Sequence, residues 1–487
     1  MTYYEVGFPR RIVHQRFIEN GNMMPYDYSD TPNIITSPPG PKSREYMEKE
    51  KRLFFAAWYT NKDVPLIMRR KYGWTIEDVD GNKYIDMVTG WASTPLGAGY
   101  EPVIERAVEA LRESGGIECT DYVTDIHLFE LAEKLVAISP PQLTRVAPDT
   151  TGTEAVEAAL RLARETTGRY FILSFHGSFH GGNYGAAGAG PTSPDVTRGI
   201  KEYIHGFIHV PYPTCYRCPL KQTYPQCNLA CLDWIEDVVL RYETAPETIA
   251  GVLYEPIQGE NGIFIPPDGW MERLHELGER YGWMMIDDEV QTGFGRTGKM
   301  FAIEWWPEAV DKVDLMPLAK AITGGALPIA AVLGTEETMT SSDEIYLGGT
   351  FAWQPAACAA AATGIDALYQ ENVLENVQRL EAISKERMGA WVETYEIVGD
   401  VRIKGLYNAI EFVQDKETKT PAPELTRAIH YGCIQRGLIL IDEEDIWWLR
   451  MLPALNMPED LFIRALDILE DAILEVSRQY GKGVKSS

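Results

Sequence analysis

Nowhere in this 487-residue chain is there a run approaching the roughly 18 consecutive apolar residues that a membrane-spanning helix needs. Positive charge is also short: 45 lysines and arginines stand against 71 aspartates and glutamates, a net of −26. A surface so acidic repels phosphate polyanions and anionic lipid, which argues against nucleic-acid binding and membrane attachment. Cysteine is scarce, with seven residues in all, too few for a disulfide scaffold of this length. The segment 1–9, MTYYEVGFP, has neither the basic and apolar regions of a secretory signal nor the arginines of a transit peptide, so the expected location is the cytoplasm. No internal repeat or low-complexity tract is visible.

What is present is a long alternation of apolar strands and amphipathic helices. Strands are expected at 170–175, 207–210, 250–255 and 283–287, and helices at 154–167, 232–242 and 270–281. That order predicts an α/β fold with a mainly parallel sheet covered by helices on both faces. Before it, residues 1–60 are rich in Pro, Asn, Asp and Ser and read as an extended arm suited to packing on a partner subunit. Residues 61–100 carry short strands around the Asp80-Gly81 turn, and helical spacing of Val103, Val108 and Leu111 follows over 101–113. The large domain is expected over 101–370, with a Cys-rich insertion at 211–231. Residues 371–487 complete a smaller α+β domain built from both chain ends.

The segment 284–325 holds the chemistry. MMIDDEVQTGFGRTGKM delivers Asp288 after a strand, and DLMPLAKAITGGALPIAAVLG delivers Lys320 into a glycine-closed loop. A carboxylate opposite a pyridine nitrogen and a lysine able to form an imine are the parts needed to hold pyridoxal phosphate and make it an electron sink. The apolar neighbours of Lys320, among them Leu318, Ala319, Ala321 and Ile322, predict a desolvated amine of lowered pKa. In APDTTGTEAVEAALRLAR, Thr151 and Glu154 stand at capping-box spacing, so Gly152 and Thr153 open a helix whose N-terminus suits a phosphate. Phe179, followed by His180, can stack on the ring with Val290 on its other face. Gln291, one turn past Asp288, reaches the ring hydroxyl, and Gly349 and Thr350 precede a helix opening at Pro355 as a second phosphate contact.

TGTEAVEAAL, GSFHGGNYGA, EPIQGENG, DDEVQTGFGRTG, LAKAITGGALPIAAV and GGTFAWQPAACAAAA follow one another here in the order and spacing of the class III (subgroup II) pyridoxal-phosphate aminotransferases. The chain resembles that family from about 65 to 478. The resemblance implies fold type I, with a large domain of the seven-stranded type, and an obligate homodimer or higher homo-oligomer. It also implies a ping-pong exchange between a small-molecule amine donor and a keto-acid acceptor. Lys320 becomes the lysine that holds the cofactor, Asp288 the pyridinium partner, Gln291 the hydroxyl contact and Phe179 the stacking ring. Gly152, Thr153, His180, Glu255, Val290 and Gly349 join them at the cofactor, and Thr350 reaches in from the other subunit. In related ω-aminotransferases a glutamate of the EPIQGE motif pairs with an arginine that grips substrate carboxylates. Glu260 and Arg450 stand at those positions, and the bulky Trp91 precedes Gly97-Ala98-Gly99-Tyr100-Glu101-Pro102, where many members carry Gly-His-x-His-Pro.

Cys215, Cys218, Cys227 and Cys231 fall within the insertion at a spacing that fits tetrahedral zinc or an iron-sulfur cluster, with reduced thiols or disulfides as the competing readings. The expected function is transfer of an amino group from an ω-amino acid, amine or diamine to pyruvate or 2-oxoglutarate. Returning the proton to the substrate carbon instead would give an amino-acid racemase or epimerase, or a semialdehyde aminomutase. A metal-stabilised scaffold without catalysis is the reading of another class.

Overall fold

The computed structural model describes residues 27–56, 64–441 and 446–484, together with the backbone of two short paired strands, Phe17–Glu19 and Asn22–Met24. The 1–9 segment, the expected boundary near residue 60 and the last three residues lie outside the described residues.

A seven-stranded sheet forms the centre, in the spatial order Leu143–Asp149, Ala330–Thr335, Leu315–Leu318, Met284–Asp287, Ile249–Tyr254, Phe171–Phe175, Phe207–Val210. All neighbours are parallel except Ala330–Thr335, which is antiparallel to both its partners. Two reversals cancel, so Leu143–Asp149 runs the same way as the parallel strands. Asp149, Phe175, Asp287 and Leu318 therefore end on one edge of the sheet, where ligands of open α/β sheets bind. Ile249–Tyr254, Met284–Asp287 and Leu315–Leu318 are buried at every residue, as strands covered on both faces must be. One face packs Leu253, Ile286, Leu315 and Val332 against the alanines of helix Gly152–Thr167. The other packs Val252, Tyr254 and Met285 against Trp270, Met271 and Leu274 of helix Trp270–Tyr281.

Two smaller sheets complete the molecule. Tyr407–Asp415 pairs antiparallel with Val398–Lys404, Thr420–Pro421 and Trp448–Met451. Met68–Tyr72, Thr75–Asp78 and Lys83–Asp86 form a meander that Leu438–Ile439 joins in parallel, so the two chain ends meet in one sheet. The meander's turn places Gly81 at φ +93°, a conformation in which a side chain is strained.

Three details depart from expectation. The arm contains a helix, Pro41–Leu53, because Pro41 is preset for a first turn and Asp80 caps it, accepting from the Lys42 and Ser43 amides, each at 2.8 Å. In helix Glu101–Glu113 the buried face is Val103, Ala107 and Ala110, while Val108 and Leu111 are 42% and 46% exposed. The small alanines let this helix approach the alanine-rich helix Pro355–Gln370, with Ala110 packed against Ala356 and Ala359. Third, the helix beginning at Ala230–Trp234 widens into a π-helical stretch, Ile235–Glu243, that ends with Thr244 N–H donating to Val239 O.

Candidate active site

The strand ends converge on a cavity of about 420 Å³ lined by Gly152, Phe179, His180, Glu255, Glu260, Asp288, Val290, Gln291 and Lys320, among others, a size ordinary for small-molecule sites. Asp288 follows strand Met284–Asp287 and is almost fully buried. Its Oδ1 accepts from Val290 N at 3.0 Å, and its Oδ2 lies 2.6 Å from His180 Nδ1, which orients it. Lys320 opens the 3-10 turn Lys320–Thr323 after strand Leu315–Leu318, with φ +49°. Burial lowers its amine pKa against the opposing pull of Glu260, Glu255 and Asp288, which favours the neutral, nucleophilic form.

At one end of the cavity, helix Gly152–Thr167 is closed by a true capping box: Glu154 N donates to Thr151 Oγ1 at 3.3 Å and Thr151 N to Glu154 Oε2 at 3.0 Å. The N–H groups of the first helical residues, Gly152 and Thr153, have no intrahelical acceptor, as in any helix, and attract an anion. A Cβ at Gly152 would stand 3.1 Å from Val290 Cγ1 and fill this cradle. Pyridoxal phosphate fits these parts: an anion seat, a buried carboxylate and a desolvated amine around one space.

Glu255 acts as a brace. Its carboxylate accepts from Phe179 N at 3.1 Å and Gly259 N at 2.8 Å, and burial raises its pKa to about 7. Beyond it, residues 258–264 turn back on themselves through Gln258–Phe264 bridging and carry Glu260 to the cavity rim. Arg450, fully buried on strand Trp448–Met451, donates to Glu260 Oε2 at 2.7 Å and Gly259 O at 3.2 Å. The face of Trp91 lies 5.2 Å from its guanidinium carbon, close enough for a cation–π contact. Trp91 belongs to a left-handed turn in which Thr89, Gly90, Trp91 and Ala92 have φ of 49, 60, 58 and 71°.

The sequence profile described as Aminotransferase class-III matches residues 56–473. The chain belongs to the class III aminotransferases. Curated relatives include an alanine/serine racemase of Pyrococcus horikoshii, 33% identical over 91% of this chain and 92% of the relative. A 4-aminobutyrate aminotransferase of Mycobacterium leprae is 32% identical over 90% of this chain and 96% of the relative. Among solved structures, an amine transaminase from an uncultivated Pseudomonas species in its PLP-bound form superposes with a TM-score of 0.79 at 29% identity, covering 84% of this chain and 95% of that one. Membership makes the protein a pyridoxal-phosphate-dependent transaminase of fold type I, and among the described residues no helix is long and apolar enough to cross a membrane.

Several expected residues of this class III aminotransferase stand apart from the cavity. Thr153 is not among its lining residues and packs at Gly181, where a Cβ would meet Thr153 Oγ1 at 2.5 Å. Gly349 and Thr350 are exposed on the surface and line no part of it. Trp447 and Trp448 are packing residues: Trp448 is buried, close to the position a Gly262 Cβ would take, and Trp447 donates to Glu411 Oε1 at 3.2 Å. Tyr407, which had no sequence signal, donates its hydroxyl to Gln291 Oε1 at 2.5 Å and so turns the amide of Gln291. Among the described residues, no group of three or more His, Cys, Asp or Glu is arranged to hold a metal ion. The zinc or iron-sulfur reading of Cys215, Cys218, Cys227 and Cys231 therefore finds no support. The four thiols are unpaired and line a cavity of about 20 Å³ walled by Tyr212, Leu220 and Leu229, and burial raises the pKa of Cys231 to about 11.

Proposed function

We propose that the protein moves an amino group from an ω-amino acid, amine or diamine to pyruvate or 2-oxoglutarate in two half-reactions. The observation that carries this reading is the joint arrangement of Lys320 and Asp288 on one cavity that Glu260 also lines, with the buried Arg450 paired to Glu260 behind it. Bound pyridoxal phosphate supplies an aldehyde for the amine and a ring that accepts the electron pair left when the α proton departs. Lys320 Nζ takes that proton and returns it. Asp288, oriented by His180, keeps a proton on the ring nitrogen, and Gly152 and Thr153 at the helix N-terminus hold the phosphate. Phe179 and Val290 enclose the ring, and Gln291 faces its hydroxyl.

The paired state of Glu260 and Arg450 suits a donor without an α-carboxylate, since no cation is then left unmatched. A keto acid displaces Glu260 and takes the arginine through a bidentate contact. Trp91 lies against the Arg450 guanidinium and is not itself among the residues lining the cavity. Initial rates with a panel of amine donors against both keto acids test the reading, and a panel giving no amino transfer with any donor refutes it.

A second reading rests on the Pyrococcus racemase, which is as similar to the chain as the aminotransferases are. Here the proton returns to the substrate carbon, and loss of optical rotation from an L-amino acid without keto-acid consumption would establish it.

The site is complete in a homodimer on this reading, with Gly349 and Thr350 closing the partner's phosphate seat. Val108, Leu111, Ile117, Tyr122, Ile126 and Phe129 leave apolar side chains exposed, which a partner subunit would cover. A cytoplasmic setting agrees with the acidic surface and free thiols. Size-exclusion chromatography with light scattering reads the assembly, and a monomer that is fully active would refute it.

A further inference from the structure

The hairpin that carries Glu260 is gripped at a second point. Arg402, on strand Val398–Lys404, donates from Nε to Gly262 O at 2.7 Å, and its guanidinium lies 4.5 Å from the ring of Phe264. Gly262, at φ +118°, is closely packed and strained for any side chain: a Cβ would stand 3.1 Å from Arg402 Nη2 and 3.3 Å from Trp448. The other edge of the same guanidinium bonds Asp400 at 2.6 Å and Glu411 at 2.8 Å. Glu411 is fully buried, and its remaining oxygen accepts from Trp447 and from Arg217.

Arg217 stands between Cys215 and Cys218 in the insertion. It also donates to Lys419 O, while the Lys419 ammonium returns a bond to Tyr216 O at 2.8 Å and lies 4.4 Å from the Tyr216 ring. The insertion is thus tied to the sheet that bears Arg450, since Ala409 pairs with Arg450 and Glu411, two residues along the same strand, with Trp448. Arg450 holds the hairpin at Gly259 and Glu260, where a carboxylate substrate must compete. Arg402 holds it at Gly262, where no substrate competes.

We propose that Arg402 is a positioning residue for substrate recognition, clamping residues 258–264 so that Glu260 stays on Arg450, and that Arg217 sustains this clamp by fixing Glu411. The inference rests on the Glu260–Arg450 gate proposed above. Loosening the clamp lets Glu260 leave more readily, so a keto acid meets less competition for the arginine. A lysine at 402 keeps a cation beside Asp400 and Glu411 but lacks the planar fork that reaches Gly262 at the same time.

The test uses the holoenzyme and reads kcat/KM for 2-oxoglutarate divided by kcat/KM for an amine that lacks a carboxylate. Arg402→Lys is expected to raise this ratio by on the order of threefold to tenfold, the scale of one lost hydrogen bond, through a lower KM for the keto acid. Arg217→Gln is expected to move it in the same direction by less. Equal changes in both half-reactions, or none in the Arg402→Lys ratio, would overturn the proposal, because a merely structural residue would leave the ratio in place. Glu260→Gln separates the two failures. If it shifts the ratio while Arg402→Lys does not, the gate stands and the clamp fails; if it does not shift the ratio, the gate fails and the clamp with it.

Discussion

Truncating the two members of the substrate gate should have opposite kinetic effects and unequal structural costs. In Arg450→Ala a keto acid loses two parallel charge-assisted bonds, worth about 3–5 kcal/mol together, a fall in kcat/KM of roughly 10²- to 10⁴-fold. An amine without a carboxylate never used the arginine and should lose far less. In Glu260→Ala the keto acid gains, because its competitor is gone. Stability follows burial: the Arg450 side chain is 0% exposed and that of Glu260 18%. Removing Glu260 takes one carboxylate from the buried Arg450, at a cost of about 3 kcal/mol, while removing Arg450 leaves a carboxylate that water can reach, an electrostatic cost of roughly 1 kcal/mol beside that of the space a fully buried side chain leaves. The first figure sits at the low end because Arg450 keeps Gly259 O and the Trp91 face. Stopped-flow half-reactions with 2-oxoglutarate and with a carboxylate-free amine, beside urea unfolding of each apoprotein, give these numbers. Equal losses in both half-reactions of Arg450→Ala would refute the assignment.

Tyr407→Phe leaves the buried Gln291 carbonyl without its 2.5 Å partner, so cofactor affinity by absorbance titration should weaken about tenfold; unchanged affinity would remove Gln291 from the ring contacts. Asp149, buried beside Glu154, has its pKa raised by desolvation from 3.8 to about 7. The folded protein then keeps a proton that the unfolded chain has already released, so stability falls as pH rises from about 4 to about 7, by up to about 4 kcal/mol. Asp149→Asn should match the parent in urea at pH 4 and exceed it at pH 8.5, and a pH-independent difference would sink the argument. Metal analysis of the purified protein should find no stoichiometric zinc or iron, and one equivalent of either would reinstate the metal reading of the four cysteines.

Local signals made the frame legible. Helix Trp270–Tyr281 shows the bounds its periodicity predicts because Gly269 and Gly282 flank it with positive φ. Asp288, Lys320 and Gly152 were readable because each follows a strand within a compact motif. Orientation was harder: Val108 and Leu111 outrank Ala107 and Ala110 in hydropathy, yet close approach to a second alanine-rich helix selected the small side chains for the inside. The helix Pro41–Leu53 escaped notice because its cap, Asp80, lies 37 or 38 residues away in the chain. Tyr407 meets Gln291 across 116 residues and Arg217 meets Glu411 across 194, distances over which no spacing pattern exists. The cysteine spacing suggested ligands, and the packing around those thiols turned out to be apolar.

Lys320 stands at φ +49°, a backbone setting that costs a side chain roughly 1 kcal/mol relative to glycine. Selection for a tougher protein and selection for a working one therefore pull this single codon apart. An apoprotein with glycine at 320 should melt above one with alanine there, though both are inert, because only the first relaxes the main chain. Libraries screened by heat alone would drift toward losing the lysine, and only a screen that also asks for turnover would keep it.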